Sequence, residues 1–324
     1  MEKLEQIKLP VSAEFEVFKL MFDSSLQSSD PLLGEVIRFI KQRKGKMMRP
    51  ILALLMAKLH GEIVDSTYYA AISLELLHTA SLVHDDVVDE SDRRRGQSSV
   101  NAVYDNKISV LVGDYLLATS LTNAAKTGDI RLVDLVGRLG QRLSEGEIIQ
   151  LSNTNASDFS EDVYFEVIRK KTAALFAAAA EAGVISVESS DEKEKNAALF
   201  GELLGIAFQI KDDIFDYYDS DKVGKPTGND MREGKLTLPA LYVLNTYQDK
   251  EMNETALRIR SLEASPEDIA VFIDWVKQNG GIEYASKVMV DYRNKALELL
   301  PKDITPDLKS ALTLYIDYVI QRNK

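Results

Sequence analysis

Two short acidic strings hold the residues best suited to chemistry. The first is His84-Asp85-Asp86-Val87-Val88-Asp89-Glu90; the second is Gln209-Ile210-Lys211-Asp212-Asp213-Ile214-Phe215-Asp216. On a helix, Asp85 and Asp89 project from one face with Asp86 close by, and Asp212 and Asp216 repeat that spacing beside Asp213. Like charges so placed repel, and near a helix C-terminus they also meet the negative end of the backbone dipole. One such string is ordinarily a solvated face; two in one chain call for a cation. Hard oxygen donors, with no cysteine and 3 histidines in the chain, select Mg2+, with Mn2+ as a possible substitute, and leave phosphate oxygens and water to complete an octahedral shell. His84 reads as a neighbour of the site rather than a ligand.

Basic residues follow each string. Arg93-Arg94-Arg95-Gly96 is either a basic helix end or a diphosphate clamp. Beyond the second string comes a glycine-bearing loop, Lys222 to Asp230, with Lys225 inside it and Arg232 and Lys235 after it. Lys44-Gly45-Lys46-Met47-Met48-Arg49-Pro50 precedes an apolar helix. Lys170-Lys171-Thr172 precedes an alanine-rich stretch suited to close helix packing.

The elements that must position these groups read as helices. Apolar residues recur at three- and four-residue steps, Val17, Leu20, Met21, Ile37, Ile40, Leu52, Leu55, Leu74 and Leu77 among them, and their expected role is core packing. One helix, capped by Ser66, is expected to run into the first acidic string, and another, from near Asn196, into the second, so both strings sit at helix C-terminal ends. Turns are expected at Ser28–Pro31, Gly61–Ser66, Gly96–Ser99, Thr127–Asp129, Ser152–Ser160, Ser189–Asp191 and Gly224–Asp230. None is long enough for an interdomain linker, so one all-α domain is expected over residues 1–324.

Of the 324 residues 45% are hydrophobic, 28% charged and 8 proline, which suits a large buried core. The lack of cysteine excludes disulfides, zinc-thiolate sites, iron-sulfur clusters and a thiol nucleophile, and permits a reducing compartment. The start, MEKLEQIKLP, has no basic-then-apolar export pattern, so the cytoplasm is expected. Ile51–Ala57 and Ala173–Ala180 are too short to cross a membrane, and no membrane span is expected. A net charge of −12 argues against a nucleic-acid partner.

Taken together, from about Lys44 to Lys235, the motifs resemble those of the trans-isoprenyl diphosphate synthase, or polyprenyl synthetase, family. The resemblance implies an all-α bundle with a central cavity, a homodimer, and condensation of isopentenyl diphosphate with an allylic diphosphate. It assigns metal binding to Asp85, Asp86, Asp89, Asp212, Asp213 and Asp216. Lys46, Arg49, His78 and Arg95 resemble the homoallylic-diphosphate site, and Arg94, Lys171 and Lys225 the allylic one. Thr172, Gln209 and Lys235 resemble active-site neighbours. Asp85, Asp89, Asp212, Lys171 and Lys225 are the residues expected to carry catalysis, in which released diphosphate accepts the proton and no protein nucleophile is needed. Relatives with short products place bulky aromatics one turn below the first motif. Here Ala80 and Ser81, with Leu77 and Ser73 farther down, imply a product beyond fifteen carbons. Geranylgeranyl diphosphate synthase and a noncatalytic partner subunit are the alternatives.

Overall fold

A computed structural model describes residues 2–42, 45–94, 96–153, 159–187, 190–218 and 227–321. The helices in chain order are α1 (Lys3–Lys8), α2 (Ser12–Ser25), α3 (Pro31–Gln42), α4 (Met48–His60), α5 (Asp65–Val88), α6 (Val100–Lys126), α7 (Ile130–Asn153), α8 (Glu161–Ile168), α9 (Ala174–Ile185), α10 (Asp191–Phe215), α11 (Asn229–Arg232), α12 (Leu238–Tyr247), α13 (Lys250–Arg260), α14 (Pro266–Gln278), α15 (Gly281–Glu298) and α16 (Pro306–Gln321). The all-α expectation holds, apart from a small antiparallel hairpin of β1 (Arg93–Arg94) and β2 (Gln97–Ser98). The chain divides into two compact units, residues 1–141, 175–201 and 300–315 in one, and 142–174, 202–299 and 316–324 in the other.

In the first unit α5 starts one residue before the expected cap. Ser66 lies within its first turn, and the Thr67 hydroxyl accepts from the Val64 amide at 3.3 Å instead. The helix then runs unbroken to Val88, bringing the first acidic string to its C-terminal end as expected. It packs along α6: Ser120 donates to the Ser73 carbonyl at 2.7 Å, and a Cβ at Gly113 would lie 2.1 Å from the His84 ring. Ala177 to Ala180 are buried, and where α9 meets α4 a Cβ at Gly183 would fall 2.3 Å from the Ala53 carbonyl. Small residues here admit backbone closeness that larger ones would block.

One face differs from the expectation. Val17 and Leu20 are exposed, because α2 buries Phe15, Phe18 and Phe22 instead. Three stacked rings remove more apolar area from water than two aliphatic side chains. Among the described residues α6 is the one helix long and apolar enough to span a membrane by composition, a property the shorter windows at Ile51 and Ala173 did not expose. It also carries a break at Asp105 (φ 74°), whose carboxylate caps the restart by accepting from the Ile108 amide at 3.0 Å.

α10 starts at Asp191, earlier than expected, and carries the second acidic string, which belongs to the second unit, to its end. Between α8 and α9 the backbone widens into a π-turn, Arg169–Ala173. Such turns break the face a regular helix would present and concentrate at functional positions. Tyr284 stacks on Tyr242 at 4.0 Å and donates to Glu161 at 2.9 Å, tying α15 to the start of α8.

Candidate active site

The first cluster sits where α5 stops. Asp85 is half-buried, Asp89 caps the helix with its amide on the Asp85 carbonyl (2.8 Å) and is exposed, and Asp86 is buried. The hairpin turns at Gly96 (φ +78°) and sends Arg94 back, its Nε donating to the Asp86 carboxylate at 2.5 Å. The side chain of Asn101 and the amide of Ser91 both donate to the Asp86 carbonyl, at 3.3 and 2.9 Å. A buried carboxylate in this cluster therefore meets a guanidinium that is itself partly solvated. His84 points the other way. Its Nε2 lies 3.2 Å from the Val110 carbonyl and 3.5 Å from Asp114, in the notch left by Gly113.

Of the residues tied by resemblance to the homoallylic diphosphate, Lys46 is exposed, Arg49 sits 5.1 Å over the Phe176 ring and His78 is buried on α5. Tyr315 fixes the start of α4 by donating to the Met48 carbonyl at 2.8 Å. Arg95 and Lys225 lie outside the described residues.

Farther along α5 from the acidic end, Ala80, Leu77 and Ser73 are buried, while Ser81 is half-buried. Ser73 lies among Ala70, Leu74, Ala124, Leu135 and Ala182 in an apolar spot too tight to admit a water molecule. Its position twelve residues before Asp85 puts it about 18 Å down the helix.

The second cluster is organised differently. Asp213 is buried and accepts on both oxygens, from the Tyr164 hydroxyl at 2.5 Å and the Gln209 amide at 2.8 Å. Thr172 in the π-turn donates to the Gln209 carbonyl oxygen at 2.7 Å, which sets the amide so that its NH2 faces Asp213. Asp216 accepts from the amides of Asn229 and Asp230, both at 3.0 Å, and so caps α11. Asp212 is half-buried. Burial, with repulsion from Asp212 and Asp216, pushes the Asp213 carboxyl up to about 7 against the pull of its two hydrogen bonds. Burial, then Asp216 and Asp213, raises Asp230 well above the usual carboxylate range. Lys235 donates its amide to the Asp230 carbonyl at 2.8 Å and pairs with Glu233 at 2.7 Å.

Lys171 leaves the π-turn towards α7, where it forms an ion pair with Glu147 and donates to Gln150 at 3.1 Å. The approach is close because residue 146 is glycine: a Cβ there would stand 2.8 Å from Lys170 and 2.9 Å from Lys171 side-chain carbons. Tyr164, Gly146, Glu147 and Gln150 lie outside the sequence motifs. Tyr164 has a signal in retrospect, eight residues ahead of Thr172. That separation makes two full turns only if one is a π-turn, which periodicity at 3.6 does not anticipate.

The donor sets suit a divalent cation. Among the described residues no group of three or more acidic or histidine side chains closes into a ready-made metal cage. A hard ion held by so few protein oxygens would take the rest of its shell from phosphate and water, as magnesium does. Burial first, and then the neighbouring aspartates, raises the Asp213 and Asp230 carboxyls, a shift that a nearby cation would oppose.

Comparison with known proteins follows the same lines. The family model described as polyprenyl synthetase matches residues 30–274. The octaprenyl diphosphate synthase of Escherichia coli (strain K12) is 34% identical over 304 residues, covering 92% of this chain and 93% of that protein. Among solved structures, the geranylgeranyl pyrophosphate synthase from Bacteroides thetaiotaomicron has a TM-score of 0.87 at 51% identity, covering 99% of this chain and 100% of the other. The polyprenyl synthase from Caulobacter crescentus CB15, complexed with calcium and isoprenyl diphosphate, has a TM-score of 0.91 at 30% identity, covering 99% and 98%.

Proposed function

This chain belongs to the polyprenyl synthetase family, and from that premise we propose that it is a trans-prenyltransferase condensing isopentenyl diphosphate with an allylic diphosphate into a polyprenyl diphosphate longer than fifteen carbons. The observation that carries the reading is the pair of helix ends, each crowding aspartates, the first beside Arg94 and the second beside Tyr164 and Gln209, inside the matched region. That match runs through both compact units, which supports one catalytic domain.

We assign Asp85, Asp89 and Asp212 to hold Mg2+, with Mn2+ as a substitute; Asp86, Asp213 and Asp216 belong to the same clusters, and their hydrogen bonds set the shape. When bound, the metal neutralises charge gathering on the departing diphosphate. Arg94, Lys171 and Lys225 serve that same diphosphate, and Lys46, Arg49, His78 and Arg95 hold the isopentenyl one. Thr172 and Gln209 orient the Asp212-bearing helix end, and Lys235 steadies the turn at Asp230. Buried apolar walls, with Ala80, Leu77 and Ser73 among them, keep water from the allylic cation.

Product length rests on the small side chains Ala80 and Ser81 along α5. A geranylgeranyl product is the second reading, favoured by the 51% identity to the Bacteroides enzyme. A homodimer suits α6, whose solvent side is an apolar stripe of Val110, Leu111, Ala118, Leu121 and Ala125 at helical spacing.

The test is incubation of the purified chain with labelled isopentenyl diphosphate, an allylic primer and Mg2+, followed by chromatography of the products. Products beyond twenty carbons support the long-chain reading; a sharp stop at twenty carbons supports the second. No elongation leaves only a partner-subunit role. Ala80→Phe is expected to shorten whatever product forms.

A further inference from the structure

The π-turn has a geometric consequence for the second acidic cluster. One α turn of about 3.6 residues plus one π turn of about 4.4 spans the eight residues from Tyr164 to Thr172, which returns both side chains to one face. On α10 their targets, Asp213 and Gln209, are four residues apart and also share a face. The result is a continuous chain: Thr172 donates to Gln209 (2.7 Å), Gln209 to Asp213 (2.8 Å), and Tyr164 to Asp213 (2.5 Å). Tyr164 and Asp213 are buried, so neither exchanges its partner for water without a cost.

We propose that Tyr164 is a positioning residue for the metal–diphosphate half-site at the end of α10. Its hydroxyl fixes the Asp213 carboxylate. Asp213 then holds the Gln209 amide, and the locked pair sets the direction in which adjacent Asp212 leaves the helix. Tyr164 touches neither substrate nor metal and acts through Asp213. With the hydroxyl gone, Asp213 keeps one donor in a crowded acidic setting and turns towards others, and Asp212 loses its fixed aim. This inference rests on the reading of the second cluster as a metal–diphosphate site.

The test uses the full chain and Mn2+ as the probe, with inorganic pyrophosphate present, binding being followed by the loss of the free Mn2+ electron paramagnetic resonance signal. Tyr164→Phe is expected to weaken Mn2+ binding at least tenfold and to lower kcat by a similar factor, with KM for isopentenyl diphosphate changed less than twofold. In the Asp213→Asn background, Tyr164→Phe is expected to add almost nothing, because the route through Asp213 is already lost. A Tyr164→Phe protein that folds and keeps both Mn2+ affinity and kcat within twofold of wild type overturns the proposal, whatever its melting temperature. Should the single variant not fold, the double variant leaves no buried charge short of a donor and takes its place. It must bind Mn2+ at least tenfold more weakly than wild type, and wild-type affinity there overturns the proposal equally. Failure of the wild type itself to bind Mn2+ with pyrophosphate would sink the metal-site reading instead, so the two failures are distinguishable.

Discussion

The two acidic clusters share a sequence pattern, yet their inner aspartates are stabilised by opposite means. Asp86 at the end of α5 faces a cation, the Arg94 guanidinium returned by a four-residue hairpin turn. Asp213 near the end of α10 faces two neutral donors, Tyr164 and Gln209, and its neighbour Asp216 is held by backbone amides. A full opposite charge cancels an ionised carboxylate; dipoles only orient it. Among the described residues, the inner aspartate of the first cluster pairs with a cation, and that of the second with neutral donors. Identical motifs thus need not respond alike to metal.

The largest effect should come from removing an outer ligand. Asp85→Ala and Asp212→Ala are each expected to lower Mg2+-dependent turnover by about a thousandfold, the scale of losing preorganised charge stabilisation at a reacting group. The comparison predicts a difference between them in a second measurement. Mg2+ with pyrophosphate should raise the melting temperature of the wild type, and Asp212→Ala should abolish more of that rise than Asp85→Ala. Equal losses would mean that the second cluster is no more dependent on metal than the first.

Next in size is the loss of the internal counter-charge. Arg94→Met leaves the Asp86 carboxylate buried without its guanidinium. Breaking a buried pair on one side costs about 3–5 kcal/mol, reduced here to about 2–4 because Arg94 is partly solvated. Urea unfolding should show this loss at pH 7 and most of it recovered in Arg94→Met with Asp86→Leu, where no charge remains to bury. A stability unchanged in Arg94→Met would show that the pair is not what holds the first cluster.

Much of this contrast lay beyond reach of the sequence. The two acidic strings, their places at helix ends and the all-α class follow from residue type and 3.6-residue periodicity, and the structure bears them out at Asp85–Asp89 and Asp212–Asp216. Partners were not legible. Arg94 was one of three consecutive arginines, and only a β-turn at Gly96 selects it for Asp86. Tyr164 and Thr172 share a face because one turn is π, and no local preference announces that insertion. Val17 and Leu20 went to solvent because three phenylalanines on the next face of α2 offer more area to bury. Lys171 meets Glu147 because residue 146 has no side chain, a contact decided between elements remote in sequence. Local pattern fixes periodicity; which polar groups meet is set by tertiary closeness.

The smallest effect is also the most selective. The ordinary carboxyl value is 3.8, and burial with the neighbouring Asp212 and Asp216 charges lifts Asp213 to about 7 in the folded chain. A folded state that holds the proton more tightly than the unfolded one keeps this share of stability in full below pH 3.8 and loses it as pH rises through about 7. In cation-free buffer the melting temperature of wild type should accordingly fall relative to Asp213→Asn between about pH 4 and 7, since asparagine has no proton to lose. Other carboxylates titrate in the same window, so the difference between the two proteins is the readout rather than either curve. Mg2+ with pyrophosphate should flatten that difference, because a nearby cation favours the ionised form that burial opposes. Asp86→Asn supplies the contrast: with Arg94 left facing a neutral side chain, stability at pH 7 should drop rather than rise. Parallel pH curves for wild type and Asp213→Asn would mean that the second cluster meets its charge from within, as the first does.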